Sequence, residues 1–264
     1  MQGEWAFYWR QFLDEDNLPL DQDSKPDAYL SVPNVWNGLV LANGTVIKGP
    51  GFATLWLKIL LPQSLSEAPL KFLRIVVRPI DSPYTMQVFD SSRKPLSELI
   101  HSGDLQQDAE LVIPPKHAKD FPVYAAAELI VVWRISNHHY HAFAGPWLVP
   151  EIGEEASIVS KLKTNRATDF LLIGITLAAG LYHWILFLLR PKDFATFWFG
   201  LFCFCIAFIV LYVNEHIGDF LGEAFNYSNL QRLLVSLINL DIISLVYFLR
   251  NIIPQEAKIN FQCY

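Results

Sequence analysis

Two stretches of this chain, FLLIGITLAAGLYHWILFLL (170–189) and FATFWFGLFCFCIAFIVLYV (194–213), each run for 20 residues without a Lys, Arg, Asp or Glu. An α-helix rises about 1.5 Å per residue, so about 20 apolar residues are what it takes to cross a hydrocarbon core roughly 30 Å thick. Both are read as membrane spans, and the lipid bilayer is the first partner expected. A third stretch, LLVSLINLDIISLVYFL (233–249), is shorter and carries Asp241 near its middle. It reads as a further span with a polar interruption, the other reading being a buried helix of a soluble core. The bulk composition agrees: 52% hydrophobic and 17% charged over 264 residues is more apolar than a soluble domain of that length. A net charge of −6 offers no clustered cations to release counterions from phosphates, so nucleic acid is set aside as a partner.

Upstream of about residue 160 the pattern changes. TLWLKILLP (54–62), KFLRIVV (71–77), YTMQVF (84–89) and ELIVVWRIS (128–136) are short, β-branched and aromatic-rich, with Pro, Gly, Asn, Asp and Ser clusters between them. Such punctuation predicts many short strands. Leu55, Leu57 and Ile59 would share one face of their strand, which is how an antiparallel sheet hides one side against a core. The expected fold class is an all-β jelly roll or sandwich followed by α-helical transmembrane segments. The boundaries expected are a β domain over 1–155, a juxtamembrane linker over 156–169 and a partial membrane domain over 170–264.

Cysteine usage adds little. Cys203 and Cys205 lie inside an apolar run, where an i, i+2 pair on a helix points to different faces, and the β half has none; no disulfide framework or metal knuckle follows. Charge leaves the orientation tied. With the β domain outside, Arg190 and Lys192 fall in an inner loop, Arg250 and Lys258 follow the third span, and Glu215, Asp219 and Glu223 fall outside, as the positive-inside tendency favours. Lys161, Lys163 and Arg166, however, would then flank the first span on the outside.

The motif order breaks that tie. GEWAFYW (3–9), VPNVWN (32–37), GPGFATLWLKILLP (49–62) and ISNHHYHAFAGPWLVPEIG (135–153) resemble the extracellular domain of bacterial seven-transmembrane receptors with diverse intracellular signalling modules. The same order is similar to galactose-binding-like jelly rolls attached to β-galactosidases. LLIGITLAAGLYHWILFLLRPKDFATFWFGLFCFCIAF (171–208) resembles the start of that receptor family's membrane domain. The resemblance implies an extracytoplasmic β domain, a bacterial inner membrane location and a signalling function. The family's ectodomain normally follows a cleavable signal peptide, and its membrane domain has seven spans before an output module. Here Met1 stands two residues from the first strand and about three spans are present, so a fragment of a receptor gene or a truncated product is expected.

Candidate site residues follow from side-chain chemistry. Trp36, Phe52, Tyr84 and Trp147 could stack on a sugar ring or another flat ligand, with Asn37 and Asn137 adding hydrogen bonds; the competing account makes these aromatics core, as Trp5 and Trp9 are. In RISNHHYHAFAGPW (134–147), His138, His139 and His141 are weak candidates for Zn²⁺ or Cu²⁺ with a third ligand such as His101 or Asp104. The plainer reading is a polar corner after a strand, so no metal is expected. His183 and Asp241 are the ionisable groups inside the spans; Asp241 suits a signalling or proton-linked role or an interhelical hydrogen bond, His183 a packing role. No P-loop, GxSxG or HExxH occurs, so neither an enzymatic activity nor a cofactor is expected of this chain.

The function expected is that of a membrane signalling receptor whose β domain senses an unknown small-molecule or carbohydrate ligand, with a homodimer as one possible assembly. The alternatives are a membrane-anchored ancillary carbohydrate-binding domain of a glycan-processing enzyme and a piece of a transporter. An anchor needs only one span, and a transporter would show several Gly/Pro-broken spans and intramembrane charges.

Overall fold

The computed structural model describes residues 1–14, 17, 25–62, 72–78, 80, 82–103, 105, 119–138, 144–214 and 227–253. The chain divides into two compact units, Met1–Ser160 and Lys161–Tyr264.

In the first unit the described residues form nine strands: β1 (Gly3–Trp9), β2 (Ala28–Val32), β3 (Gly51–Leu60), β4 (Phe72–Val77), β5 (Tyr84–Phe89), β6 (Ile100–Ser102), β7 (Lys119–Tyr124), β8 (Glu128–Asn137) and β9 (Glu151–Glu154). They pair in two antiparallel sheets, ordered β2-β1-β3-β8-β5-β6 and β7-β4-β9. The strands foreseen from composition are β3, β4, β5 and β8. Each sheet contributes one face to a common core, in which Trp5, Phe7, Leu55, Met86, Val131 and Trp133 of the larger sheet join Leu73, Ile75, Val77, Phe121 and Val123 of the smaller. This is a sandwich. The alternation expected for β3 is present, with Leu55 buried and Leu57 and Ile59 packed against the same core. Pro122 lies in β7, which forms an edge of the smaller sheet, where a missing N–H costs no ladder bond.

β8 is apolar on both faces, for a reason its sequence does not announce. Its Ile130 and Val132 pack outward against Ala6, Tyr8, Leu13 and Phe89. The segment after β1 is tied over this face: Thr54 Oγ1 donates to Gln11 O at 2.7 Å and accepts from Leu13 N at 3.0 Å, and Arg134 Nε donates to Leu13 O.

Three long helices follow among the described residues: α1 (Glu155–Leu189), α2 (Phe194–Val213) and α3 (Tyr227–Ile252). All three are long and apolar enough to cross a membrane, the third over Arg232–Ile252. Residues 156–169, anticipated as a linker, are helical and belong to α1. Their Lys, Leu, Arg and Ala residues are good helix formers, and neither Pro nor Gly interrupts them.

In the second unit α1 and α2 approach through glycines. A β-carbon on Gly200 would stand 2.3 Å from the Trp184 ring, and one on Gly180 would stand 3.2 Å from Gly200 O. On the other side of α2, Trp198 stacks on Tyr247 of α3 at 4.7 Å, and Phe199 meets Phe248 at 4.9 Å. With neighbours on both flanks, α2 buries both Cys203 and Cys205 although they point to different faces.

Candidate functional site: the strand-end corner and the helix junction

The residues singled out for ligand binding do gather. Asn137 pairs in register with Gly51, beside Phe52, and Tyr84 pairs with Ile135 two residues earlier on β8. Trp36 N donates to Ala144 O at 2.8 Å, and Asn34 N to Pro146 O at 3.1 Å, bringing the 144–147 segment to the same end of the larger sheet.

Their burial corrects half of the assignment. Trp36 and Tyr84 are fully buried and Asn137 is 2% exposed, so neither ring has a face open to a ligand. Trp36 instead anchors the corner. Its Nε1 donates to Gly49 O at 2.6 Å, its ring meets Phe7 at 5.9 Å and Trp9 at 5.6 Å, and a β-carbon on Gly145 (φ +112) would stand 3.1 Å from it. Trp9 lies over Gly51 (φ +152), where a β-carbon would come within 2.4 Å of the indole. Glycine at 51 and 145 therefore leaves room for the indoles as well as the backbone angle.

Phe52 and Trp147 are partly exposed. Phe52 meets the Phe12 ring at 4.7 Å, tilted by 48°, while Trp147 packs its indole on the core and donates from Nε1 to Ile80 O at 2.9 Å. Asn37 accepts from Ala144 N at 3.2 Å and donates to Lys48 O at 3.5 Å. Sequence reasoning missed Ser82 and Ser102 at this end. Both are buried, and neither hydroxyl has a hydrogen-bond partner among the described residues. A buried hydroxyl without a partner costs about 1–3 kcal/mol, a position that a bound polar group would relieve. Isolated serines in a sequence carry no signal of this.

His138 follows the last residue of β8, as the corner reading expected, while His139, His141 and Asp104 lie outside the described residues. His101 is exposed on β6. The 215–226 segment with Glu215, Asp219 and Glu223, and Lys258, are likewise outside them.

The other constellation stands where the strands end. β9 pairs with β4 and passes at Glu154 straight into Glu155, the first residue of α1, with no loop between. Arg74 of β4 donates to Glu155 Oε1 at 2.7 Å and also pairs with Asp120 of β7. The bond to Glu155 raises the guanidinium's pKa; burial opposes it and Asp120 adds to it. Ile158 is buried on the next turn, packed where a β-carbon on Gly153 would stand 3.2 Å from it. An ion pair and an apolar contact thus hold the first turn of α1 to the smaller sheet.

Within the spans, His183 Nδ1 lies 2.9 Å from Ala179 O, and its ring meets Phe199 of α2 at 4.4 Å. Ser244 Oγ bonds the Asp241 main-chain O at 2.8 Å, and the buried carboxylate oxygen Oδ1 has no partner among the described residues.

A two-sheet domain followed in sequence by three membrane-length helices defines a membrane protein with a folded N-terminal domain. Residues 165–263 match the family model described as 7TM diverse intracellular signalling, which agrees with the resemblance of the 171–208 stretch to the membrane domain of such receptors. No curated protein matches the chain. Among solved structures it is similar to the β-glucuronidase of Bifidobacterium dentium complexed with coumarin-3-O-glucuronide, at 11% identity and a TM-score of 0.36, covering 52% of this chain and 19% of that one. The Faecalibacterium prausnitzii β-glucuronidase gives 10% identity and a TM-score of 0.35, over 53% of this chain and 21% of the other. The Lactobacillus rhamnosus enzyme gives 14% and 0.33, over 52% and 20%. The chain spans about a fifth of the length of these proteins.

Proposed function

We propose that the sandwich, as a jelly-roll sensor on the outer side of a bacterial inner membrane, binds a small-molecule or carbohydrate ligand without turning it over, and that α1 carries the response toward the spans. In this reading Arg190 and Lys192 are cytoplasmic. The observation that supports it is the junction: Arg74, on the central strand of the smaller sheet, grips Glu155, the residue at which α1 starts. A shift of β4 against β7 would change how Arg74 divides between Asp120 and Glu155. A ligand can move that balance only by its difference in affinity for the two arrangements. The partly exposed Phe52 and Trp147, with Asn37, supply the stacking faces and hydrogen-bond groups that a polyhydroxylated ligand needs.

The test uses the full chain in nanodiscs and a panel of neutral mono- and oligosaccharides. A ligand at 100 times its dissociation constant adds about 2.7 kcal/mol, so a true ligand raises the melting temperature and slows amide exchange over residues 155–160. Glu155→Gln should keep the rise and lose most of the exchange response. No saccharide raising the melting temperature would end the carbohydrate reading. An exchange response that survives in Glu155→Gln would end the role of the junction.

A further inference from the structure

The cations before the first span have no role in this reading, and they run against the positive-inside tendency for an outer flank. Lys161, Lys163 and Arg166 stand on α1 with their side chains exposed, and Asp169 is the one acid between them and the charge-free stretch 170–189. If Phe170 marks the hydrocarbon boundary, a rise of about 1.5 Å per residue puts Arg166 about 6 Å and Lys163 about 10 Å outside it. The polar layer of each leaflet is about 5–8 Å deep, and lysine and arginine side chains reach several ångströms beyond their backbone, so both cations are at phosphate depth.

The helical turn sorts them. At about 100° per residue, Lys163, Arg166 and Phe170 fall within an arc of about 60°, Asp169 lies about a quarter turn aside, and Lys161 is on the opposite face. The Arg166 guanidinium carbon sits 5.8 Å from the centre of the Phe170 ring, so this side chain leans toward the membrane. Below the ring the surface is open: nothing lies within 4 Å of where a β-carbon on Gly174 would be, and Ala178 and Leu181 are exposed further along the same side. Two cations stand above an aromatic ring, and an unobstructed apolar track runs beneath it.

We propose that Lys163, Arg166 and Phe170 form a contact site for an anionic phospholipid, its phosphate between the two cations and one acyl chain along Phe170, Gly174 and Leu181. The site lies wholly on α1 and is independent of any ligand of the sandwich. The charge complementarity selects an anionic headgroup over a zwitterionic one, because juxtamembrane cations are attracted to a net negative surface.

The experiment reconstitutes the full chain in nanodiscs of phosphatidylcholine doped with phosphatidylglycerol and measures, by native mass spectrometry, the anionic lipid retained on extraction. The wild-type chain should retain phosphatidylglycerol preferentially, with about a fivefold loss of preference for each cation removed in Lys163→Gln and Arg166→Gln. Lys161→Gln removes the same charge from the opposite face and should retain most of the preference. Circular dichroism in the same discs shows whether each variant is folded, and the comparison uses only folded ones; Lys163→Arg should keep retention in either case. Equal losses in Lys161→Gln and Lys163→Gln would reduce the site to net charge and overturn the proposal. An unchanged preference in the double variant, or displacement of the lipid by inorganic phosphate alone, would overturn it too.

Discussion

In the sandwich Trp5, Trp36, Trp133 and Tyr84 are fully buried, while along the helices Leu188 is 77% exposed and Leu189 74%, and the buried positions among the described residues of the second unit are Ile173 and the small residues Gly180, Gly200, Cys203, Cys205, Ala207 and Ser244. The two units therefore place large apolar side chains on opposite sides of themselves. Water drives the first arrangement, since each apolar ångström removed from it is favourable. In lipid that drive vanishes between helices, so close approach of small residues and aromatic stacking decide which faces meet. Gly180 opposite Gly200 and Trp198 on Tyr247 are those contacts.

The inversion predicts unequal costs for similar changes. The largest is in the sandwich: residues 1–160, produced without the helices, should be soluble and strand-rich, and Trp133→Ala should lower their stability by about 3–5 kcal/mol in urea unfolding. A helical or aggregated product would erase the distinction between the units. Next comes the glycine contact. Gly200→Leu must displace the Trp184 ring, and overpacking of this kind costs about 1–3 kcal/mol, seen as a lower melting temperature of the reconstituted chain and weaker α1–α2 cross-linking. If Gly200→Leu melts like the wild type, the helices do not meet there. The smallest effect is for the most exposed leucine, where Leu188→Ala should stay within about 0.5 kcal/mol. A loss comparable to that of Trp133→Ala would mean that this face is a packed interior.

The sequence made the helices legible because their solvent imposes a simple rule. Twenty uncharged apolar residues leave little alternative to a spanning helix, since unpaired backbone groups are intolerable in hydrocarbon. The strands were legible where the outer face carries a polar residue, as with Lys58 pointing out of β3 while Leu55 points in. β8 was harder, because its second face is covered by a segment tied down through Thr54 and Arg134, and long-range contacts of that kind leave no local period. The candidate corner was legible as a set of residues but not as a surface. Trp36 and Phe52 are both aromatics beside a turn in the sequence, and only the approach of Gly49 and Gly145 makes one an anchor while the other keeps part of its ring exposed.

Composition and periodicity alone determined that this chain has a strand-rich half and a membrane-spanning half, because water and lipid each act on every residue through its own chemistry. Which aromatics are core, which serines have no hydrogen-bond partner among the described residues, and that Arg74 grips the residue where α1 begins were decided by tertiary structure. Each depends on residues far apart in the chain, Arg74 and Glu155 being separated by 81 positions, and no local pattern encodes who meets whom across such a distance.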